Sequence, residues 1–313
     1  MPTAQPTVKD AVLMANVSRR YFVHDQSKSE IADVLGISRF RVARLIARAR
    51  DTGIVRIEIG LPGLRDNELA AELGARFGLD HVVILDVPED QGRELLRKLG
   101  VAAIELLGEI LTADDVLGLA SARPLLGIGD QVGAFPACPV VQLTGAISRP
   151  DALDIIQCVR DITRAGGGEA YVFYAPILGA ATVEAVRQNP DVARAVAMIP
   201  KLTAIVLGVG AWAPGLSTLY DVLPEADRQE AARQGVAAEI AGIYLDADGN
   251  PLRPDVADRT LAPSFEELAG VGVRIGIAFG RGKAVATRAG LASGLLNGLI
   301  THRAAAEELL SLP

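Results

Sequence analysis

Two periods of apolar residues divide this chain. Between residues 8 and 50 apolar side chains recur at three- and four-residue spacing, the period of helices packed by one face; from about residue 81 they gather into strand-length runs. In the segment 28–50, KSEIADVLGISRFRVARLIARAR, Ile31, Ala32 and Leu35 form the stripe of a first short helix. Gly36 supplies a sharp turn, Ile37 plugs the corner, and Ser38 stands where a helix cap is needed. Val42, Leu45, Ile46 and Ala49 then share one side of a second helix. Upstream, residues 8–24 offer Val12, Val17 and Tyr21 as the packing face of a helix that completes a three-helix unit. The pattern predicts an all-α helix-turn-helix domain over residues 1–59.

GIVRIEI (53–59) alternates as a short strand, and GLPG (60–63) reads as a linker. RDNELAAELGARFGLD is an amphipathic helix with Leu69, Leu73 and Phe77 at four-residue spacing, a candidate oligomer contact, so residues 60–80 are assigned to a linker and an oligomerisation helix. Beyond them HVVILDV, VLGLA, VVQLTGA, AYVFYAP, TAIVLGVG and VRIGIAFG alternate with helical segments. Strand, helix and strand in succession predict an α/β domain over 81–313 with a mostly parallel, doubly wound, Rossmann-like sheet. Such sheets take small molecules at the carboxyl ends of their strands. Gly145, Gly208, Gly210 and the stretch 280–283 fall at those ends, with Gln142 and Thr144 on the same rim.

Composition narrows the classes. The chain has 313 residues, half of them apolar and only 4% aromatic, which suits packed helices and sheet rather than base-stacking platforms. No run approaches the ~20 apolar residues of a membrane span, and MPTAQPTVKD lacks a signal-peptide core, so no membrane partner and a cytoplasmic location are expected. Cys138 and Cys158 match no metal or redox spacing and read as buried, reduced thiols. His24, His81 and His302 are scattered, so neither metal nor cofactor is expected.

Charge is segregated. Residues 1–60 hold ten basic and six acidic side chains, a balance of +4, whereas the whole chain carries −7. The positive charge thus lies where a polyanion would bind, on a chain whose acidic remainder repels one. Arg41, Arg44 and Arg48 project from one side of the second helix with Phe40 beside them, and no acid is mixed in. A basic helix is often only a solvated face; here it sits inside a three-helix unit of the right sign, which favours insertion into a DNA major groove. Arg41 and Arg44 suit guanine edges and Phe40 a thymine methyl. Lys28, Ser29, Ser38, Arg39 and Arg48 suit phosphates.

The helix-turn-helix, the IVRIEI strand, the ELxxxFGL-type helix and the strand series, in this order, resemble the SorC family of sugar-binding transcriptional regulators from about residue 11 to 310. The closing FGRGKAVATRAGLASGLLNGLITHRAAAEELL is similar to the family's final strand, lysine-bearing helix and "LITD" segment; VVQLTGA and EIAGIYLDADGNPL also resemble family stretches. Membership implies an effector domain related to the sugar-phosphate isomerase and CoA-transferase-like fold, and assembly as a homodimer or homotetramer. It places a sugar-phosphate grip at a loop like GxSWGxT, here GLASARPL from Gly118 to Leu125. Ala122 stands for a glycine and Pro124 for the hydroxyl residue, while Ser121 and Arg123 stay available; alternatively, Pro124 simply starts a helix. The resemblance also makes Lys283 an effector-contacting lysine at a helix start. Glu239 becomes an acid for sugar hydroxyls, with a solvated helix carboxylate as its plain alternative.

Other motifs are set aside. GVG at 208 lacks a dinucleotide fingerprint, GRGKA at 280 is too short for a phosphate loop, and DADGNP at 246 reads as a turn between short strands rather than a calcium loop. Ser217 and Ser293 lack a histidine or acid pattern for nucleophilic catalysis. The expectation is therefore a non-enzymatic regulator of a carbohydrate or polyol operon. It binds double-stranded operator DNA, and a sugar phosphate, sugar or polyol at the strand ends changes its oligomer geometry and operator affinity. An active isomerase-like enzyme with a DNA-binding appendage and a ligand-free architectural protein are the alternatives.

Overall fold

Serine and glycine punctuation builds the first unit, residues 1–62, of the computed structural model, which describes residues 8–55, 65–89, 92–126, 128–147, 155–179 and 183–313. Its helices are α1 (Val8–Phe22), α2 (Lys28–Leu35) and α3 (Arg39–Asp51). The Ser27 side chain accepts from the Glu30 N–H, and the Glu30 carboxylate accepts from the Ser27 N–H at 2.7 Å, a capping box that starts α2. Gly36 ends α2 at φ +63°, and the Ser38 oxygen accepts the Arg41 N–H to start α3. Met14, Val17, Ile31, Val42, Leu45, Ile46 and Ala49 are the buried core. Val12, expected in that core, is 63% exposed. At 100° per residue it lies roughly 200° around α1 from Met14, which takes the inward place beside Val17. Residues 56–63, most of the expected strand and its linker, lie outside the described residues.

The second unit, residues 63–313, opens with α4 (Asn67–Phe77). Its strands are β1 (His81–Leu85), β2 (Leu117–Leu119), β3 (Val140–Gln142), β4 (Ala170–Tyr171), β5 (Ala204–Ala211), β6 (Ala238–Ile240), β7 (Ile243–Leu245), β8 (Pro251–Leu252), β9 (Val273–Ile277) and β10 (Gly298–His302). The helices are α5 (Arg93–Ile110), α6 (Ile155–Gly166), α7 (Val183–Arg187), α8 (Pro190–Val196), α9 (Thr218–Val222), α10 (Glu225–Arg233), α11 (Phe265–Ala269), α12 (Ala284–Ala292) and α13 (Arg303–Ser311). The parallel sheet runs β1-β10-β9-β5-β2-β3-β4, and β6, β7 and β8 extend antiparallel from the last residues of β5.

The two-residue period of a strand sorts the core onto the two faces of this sheet. Ala204 and Val206 of β5 face α5 and α6, while Ile205 and Leu207 face α4, α8, α11, α12 and α13. Helices thus cover both faces, and the strands are apolar throughout for that reason. In α4, Leu73 is fully buried and Leu69 and Phe77 pack on the same core. The stripe expected as an oligomer contact thus packs on β1 and α13 of its own domain, with Leu69 and Phe77 half-buried there.

The chain runs outward from β2 through β3 to β4 and returns on the other side of β2 as β5. The strand order reverses there, and the carboxyl ends of β2 and β5 flank the crevice that such a reversal opens.

Candidate functional site

On the helix-turn-helix, burial of Val42, Leu45, Ile46 and Ala49 turns the opposite side of α3 outward. Arg39, Phe40, Arg41 and Arg44 are exposed, Phe40 to 89%, and Arg48 is half-buried. The first turn of α3 holds no acid. Lys28 and Ser29 stand in the first turn of α2, Ser29 exposed and Lys28 half-buried, with the Lys28 ammonium 5.4 Å from the Tyr21 ring centroid. The eight residues expected to face DNA therefore lie on α2, on α3 and at their junction. Ser38 also has a local duty, since its oxygen caps α3.

At the switch point of the sheet, the loop after β2, the end of β5 and the segment after β9 enclose a cavity of about 30 Å³. Ser121, Arg123, Gly208, Gly210 and Lys283, all expected at the strand ends, line it together with Ser217 and Phe279. The glycines are required by close approach. A Cβ on Gly208 would stand 2.9 Å from the Ser121 carbonyl oxygen, and one on Gly210 would stand 2.7 Å from the Ser217 Cβ. Pro124 is the second residue of a single 3-10 turn, Arg123–Leu125, and is buried, close to the plain alternative of a helix start.

Two cations share one aromatic ring. The Lys283 Nζ lies 4.2 Å from the Phe279 centroid and the Arg123 guanidinium carbon 4.7 Å from it. Arg123 donates to the Gly215 carbonyl at 3.0 Å, and Lys283, 4% exposed, donates to the Val209 carbonyl at 2.6 Å. Burial pushes the Lys283 ammonium down to about 7; the Arg123 charge adds to this and Glu239 opposes it.

Glu239 lies on β6 opposite Gly210 and is buried, neither solvated nor helical. Its carboxylate accepts the Ser217 hydroxyl and the Gly242 N–H, both at 2.8 Å. Burial raises it above the ordinary carboxylate range against those hydrogen bonds and the Lys283 charge. Ser217 thus has an acid partner after all, across the β5–β6 junction and invisible to sequence spacing; its oxygen also caps α9. Phe279 likewise carried no local signal beyond its place at the end of an apolar run.

The remaining candidates are not gathered here. Gly118 is covered by Leu143 and Ile205, which a Cβ would meet at 2.9 and 3.0 Å, so its backbone sits inside the packed sheet. Gln142, Thr144 and Gly145 lie at the end of β3, one strand outward from the switch point. The Gln142 amide donates to the Thr144 carbonyl at 2.8 Å and accepts from the Phe173 N–H at 3.1 Å. Gly145 lies against the Ile177 backbone, 2.5 Å from where its Cβ would be. The turn at 246 joins β7 to β8 as expected, with Asp246 accepting from the backbones of Asp248 and Asn250. Cys138 and Cys158 are buried free thiols. Among the described residues no acid, histidine and cysteine cluster suits a metal, and no helix is long and apolar enough to cross a membrane.

The family described as "Putative sugar-binding domain" matches residues 63–311. The chain is 27% identical over 322 aligned residues to the transcriptional regulator LsrR of Klebsiella pneumoniae, covering 96% of this chain and 93% of that protein. It is 26% identical to the transcriptional regulator YjhU of Escherichia coli K12, covering 93% and 92%. Among solved structures, the full-length sorbitol operon regulator SorC from Klebsiella pneumoniae superposes with a TM-score of 0.75 at 21% identity, covering 97% of this chain and all of that one. A domain of a possible sugar-binding transcriptional regulator from Arthrobacter aurescens TC1 superposes with a TM-score of 0.70 at 23% identity, covering 80% of this chain.

Proposed function

Because the chain belongs to the family described as a putative sugar-binding domain and is similar to transcriptional regulators over nearly its whole length, we propose that it is a cytoplasmic, ligand-responsive DNA-binding regulator of a carbohydrate or polyol operon. The observation that carries this reading is the exposed Arg41, Arg44 and Phe40 face of α3, capped at Ser38 and backed by a buried apolar side. Arg41 and Arg44 read base edges, Phe40 meets a thymine methyl, and Lys28, Ser29, Ser38, Arg39 and Arg48 hold phosphates. Two copies, as a dimer or within a tetramer, read the half-sites of an imperfect palindrome.

The effector enters at the switch point. Arg123 and Lys283 converge on Phe279, so the group received is an anion, a phosphate or carboxylate of a small carbohydrate. A cavity of about 30 Å³ holds water but not a sugar phosphate. Binding therefore moves Lys283 off the Val209 carbonyl and opens the loop after β2. That movement gives the ligand two states to discriminate, and a ~100-fold preference between them supplies nearly 3 kcal/mol for shifting operator affinity.

An isomerase needs a strand-end acid and a base free to move a proton. Glu239 and Lys283 have that chemistry, but both Glu239 oxygens are occupied and Lys283 is bound to a carbonyl, which favours the regulator. The test is binding of the purified chain to DNA flanking its own gene. Sequence-preferring, salt-dependent affinity that shifts with a sugar phosphate is expected; affinity equal to that for random DNA at every salt concentration overturns the reading.

A further inference from the structure

His302 ends β10 with no exposed surface, opposite Leu85 of β1. Its Nε2 lies 3.0 Å from the Gly280 N–H, so this nitrogen accepts and the ring proton must sit on Nδ1. That Nδ1 is buried and has no hydrogen-bond partner among the described residues. An apolar side chain would fill the place without leaving a buried donor orphaned. The imidazole does one thing an apolar group cannot, which is to accept Gly280.

Gly280 matters because it leads directly into Lys283. At φ +87° it starts the 3-10 turn Arg281–Lys283, and its carbonyl accepts the Lys283 N–H at 3.1 Å. A continuous path of two hydrogen bonds thus runs from the His302 ring to the backbone of the lysine that closes the switch-point cavity. The Arg281 N–H is held beside it by Glu89 at 3.2 Å.

We infer that His302 is a positioning residue for the Lys283 turn: the neutral ring fixes Gly280, and a protonated ring, with a hydrogen on each nitrogen, releases it. The effector side of this inference rests on reading the cavity as the ligand site; the turn itself does not. Burial holds the imidazole below its ordinary range, Glu89 from the loop after β1 opposes this, and Arg281 adds to it. On α13, Arg303 is paired with Asp66 and Asp86, while Glu307 and Glu308 approach Arg281. Neutral His302 is therefore the form at pH 7.5, and acidification through its depressed pKa unlocks the turn.

The full-length chain tests this in two ways. Long-range 1H–15N correlation of its three histidines, assigned with His24→Gln and His81→Gln, should show His302 as the Nδ1–H tautomer at pH 7.5. A proton on Nε2 overturns the inference. Amide exchange across residues 279–284, corrected for the intrinsic pH dependence, is then compared at pH 7.5 and at a pH below the midpoint that the His302 15N shifts themselves record. His302→Phe should exchange up to ~10-fold faster at both values, the loss of one hydrogen bond. Wild type should be protected only at pH 7.5. His302→Gln, whose amide oxygen reaches as far as Nε2 and does not titrate, should be protected at both. Equal protection and equal pH response in all three overturn the inference. If His302→Phe does not fold, the contrast between wild type and His302→Gln decides alone. Inorganic phosphate, followed by amide shifts, should bind wild type and His302→Gln alike at pH 7.5. Its failure to bind wild type removes the cavity reading and leaves the exchange result standing.

Discussion

The Ser217 hydroxyl donates to Glu239 Oε2 at 2.8 Å and in the same position caps α9, so one oxygen joins a helix start on one side of the cavity to a buried acid behind it. Lys283 closes the other side through the Val209 carbonyl. Ser217 is thus tied to β6 and Lys283 to β5 by short hydrogen bonds, so a displacement at the cavity reaches both strands.

Removing the Ser217 oxygen breaks both duties. Ser217→Ala leaves a buried carboxylate oxygen unpaired and α9 uncapped, and each loss costs about 1–2 kcal/mol. Urea unfolding should show a fall of about 2–4 kcal/mol with unchanged slope. Ser217→Thr, which keeps the hydroxyl, should recover most of it, and a Ser217→Ala loss below about 0.5 kcal/mol would show that the bridge is not formed in solution.

Gly208→Ala should destabilise by about 1–3 kcal/mol, because its Cβ would stand 2.9 Å from the Ser121 carbonyl and 3.1 Å from the Ala122 Cα. The strain falls on the loop after β2, so the expected readout is faster amide exchange at residues 121–125 along with a lower urea midpoint. A midpoint equal to wild type would mean that the loop already stands farther from β5.

The Lys283 amine makes stability depend on pH in a set direction. Its folded pKa is pushed down to about 7 from 10.5, so between these values the unfolded chain binds more protons and stability rises with pH. Below about pH 7 both states are charged and the burial penalty is felt in full. The stability of wild type minus that of Lys283→Met should therefore climb from pH 7 to pH 10 in urea titrations. A difference that stays flat over that window contradicts a buried, depressed lysine.

Legibility in the sequence depended on range. The helix-turn-helix was readable because Gly36 and Ser38 act on their immediate neighbours, and the strands were readable as apolar runs because both faces of the sheet are covered. Strand order is not local. Gln142, Thr144 and Gly145 shared the signals of Gly208 and Gly210, but the sheet sets β3 one place out, and only the β5 glycines meet the cavity. Glu239 and Ser217 lie 22 positions apart, and no helical or strand period links them. Val12 failed for a simpler reason, since a helix stripe needs its register fixed by a partner and Met14 won that place.

The cationic face of α3 separates two kinds of contact that one titration can tell apart. Arg41 and Arg44 are exposed, so alanine there should change urea stability by less than about 0.5 kcal/mol. Against an operator selected from random DNA, Arg41→Ala should weaken binding by about 1–3 kcal/mol and relax preference at one base position. Arg48→Ala, half-buried along the same helix, should instead weaken all sequences alike and reduce the salt slope by about 1. Phe40→Ala should lose selectivity for a thymine without altering the slope. These three signatures require α3 to lie in the groove with Phe40 and Arg41 toward the bases. Uniform loss from Arg41→Ala together with position-specific loss from Arg48→Ala would reverse the helix in the groove while leaving DNA binding itself intact.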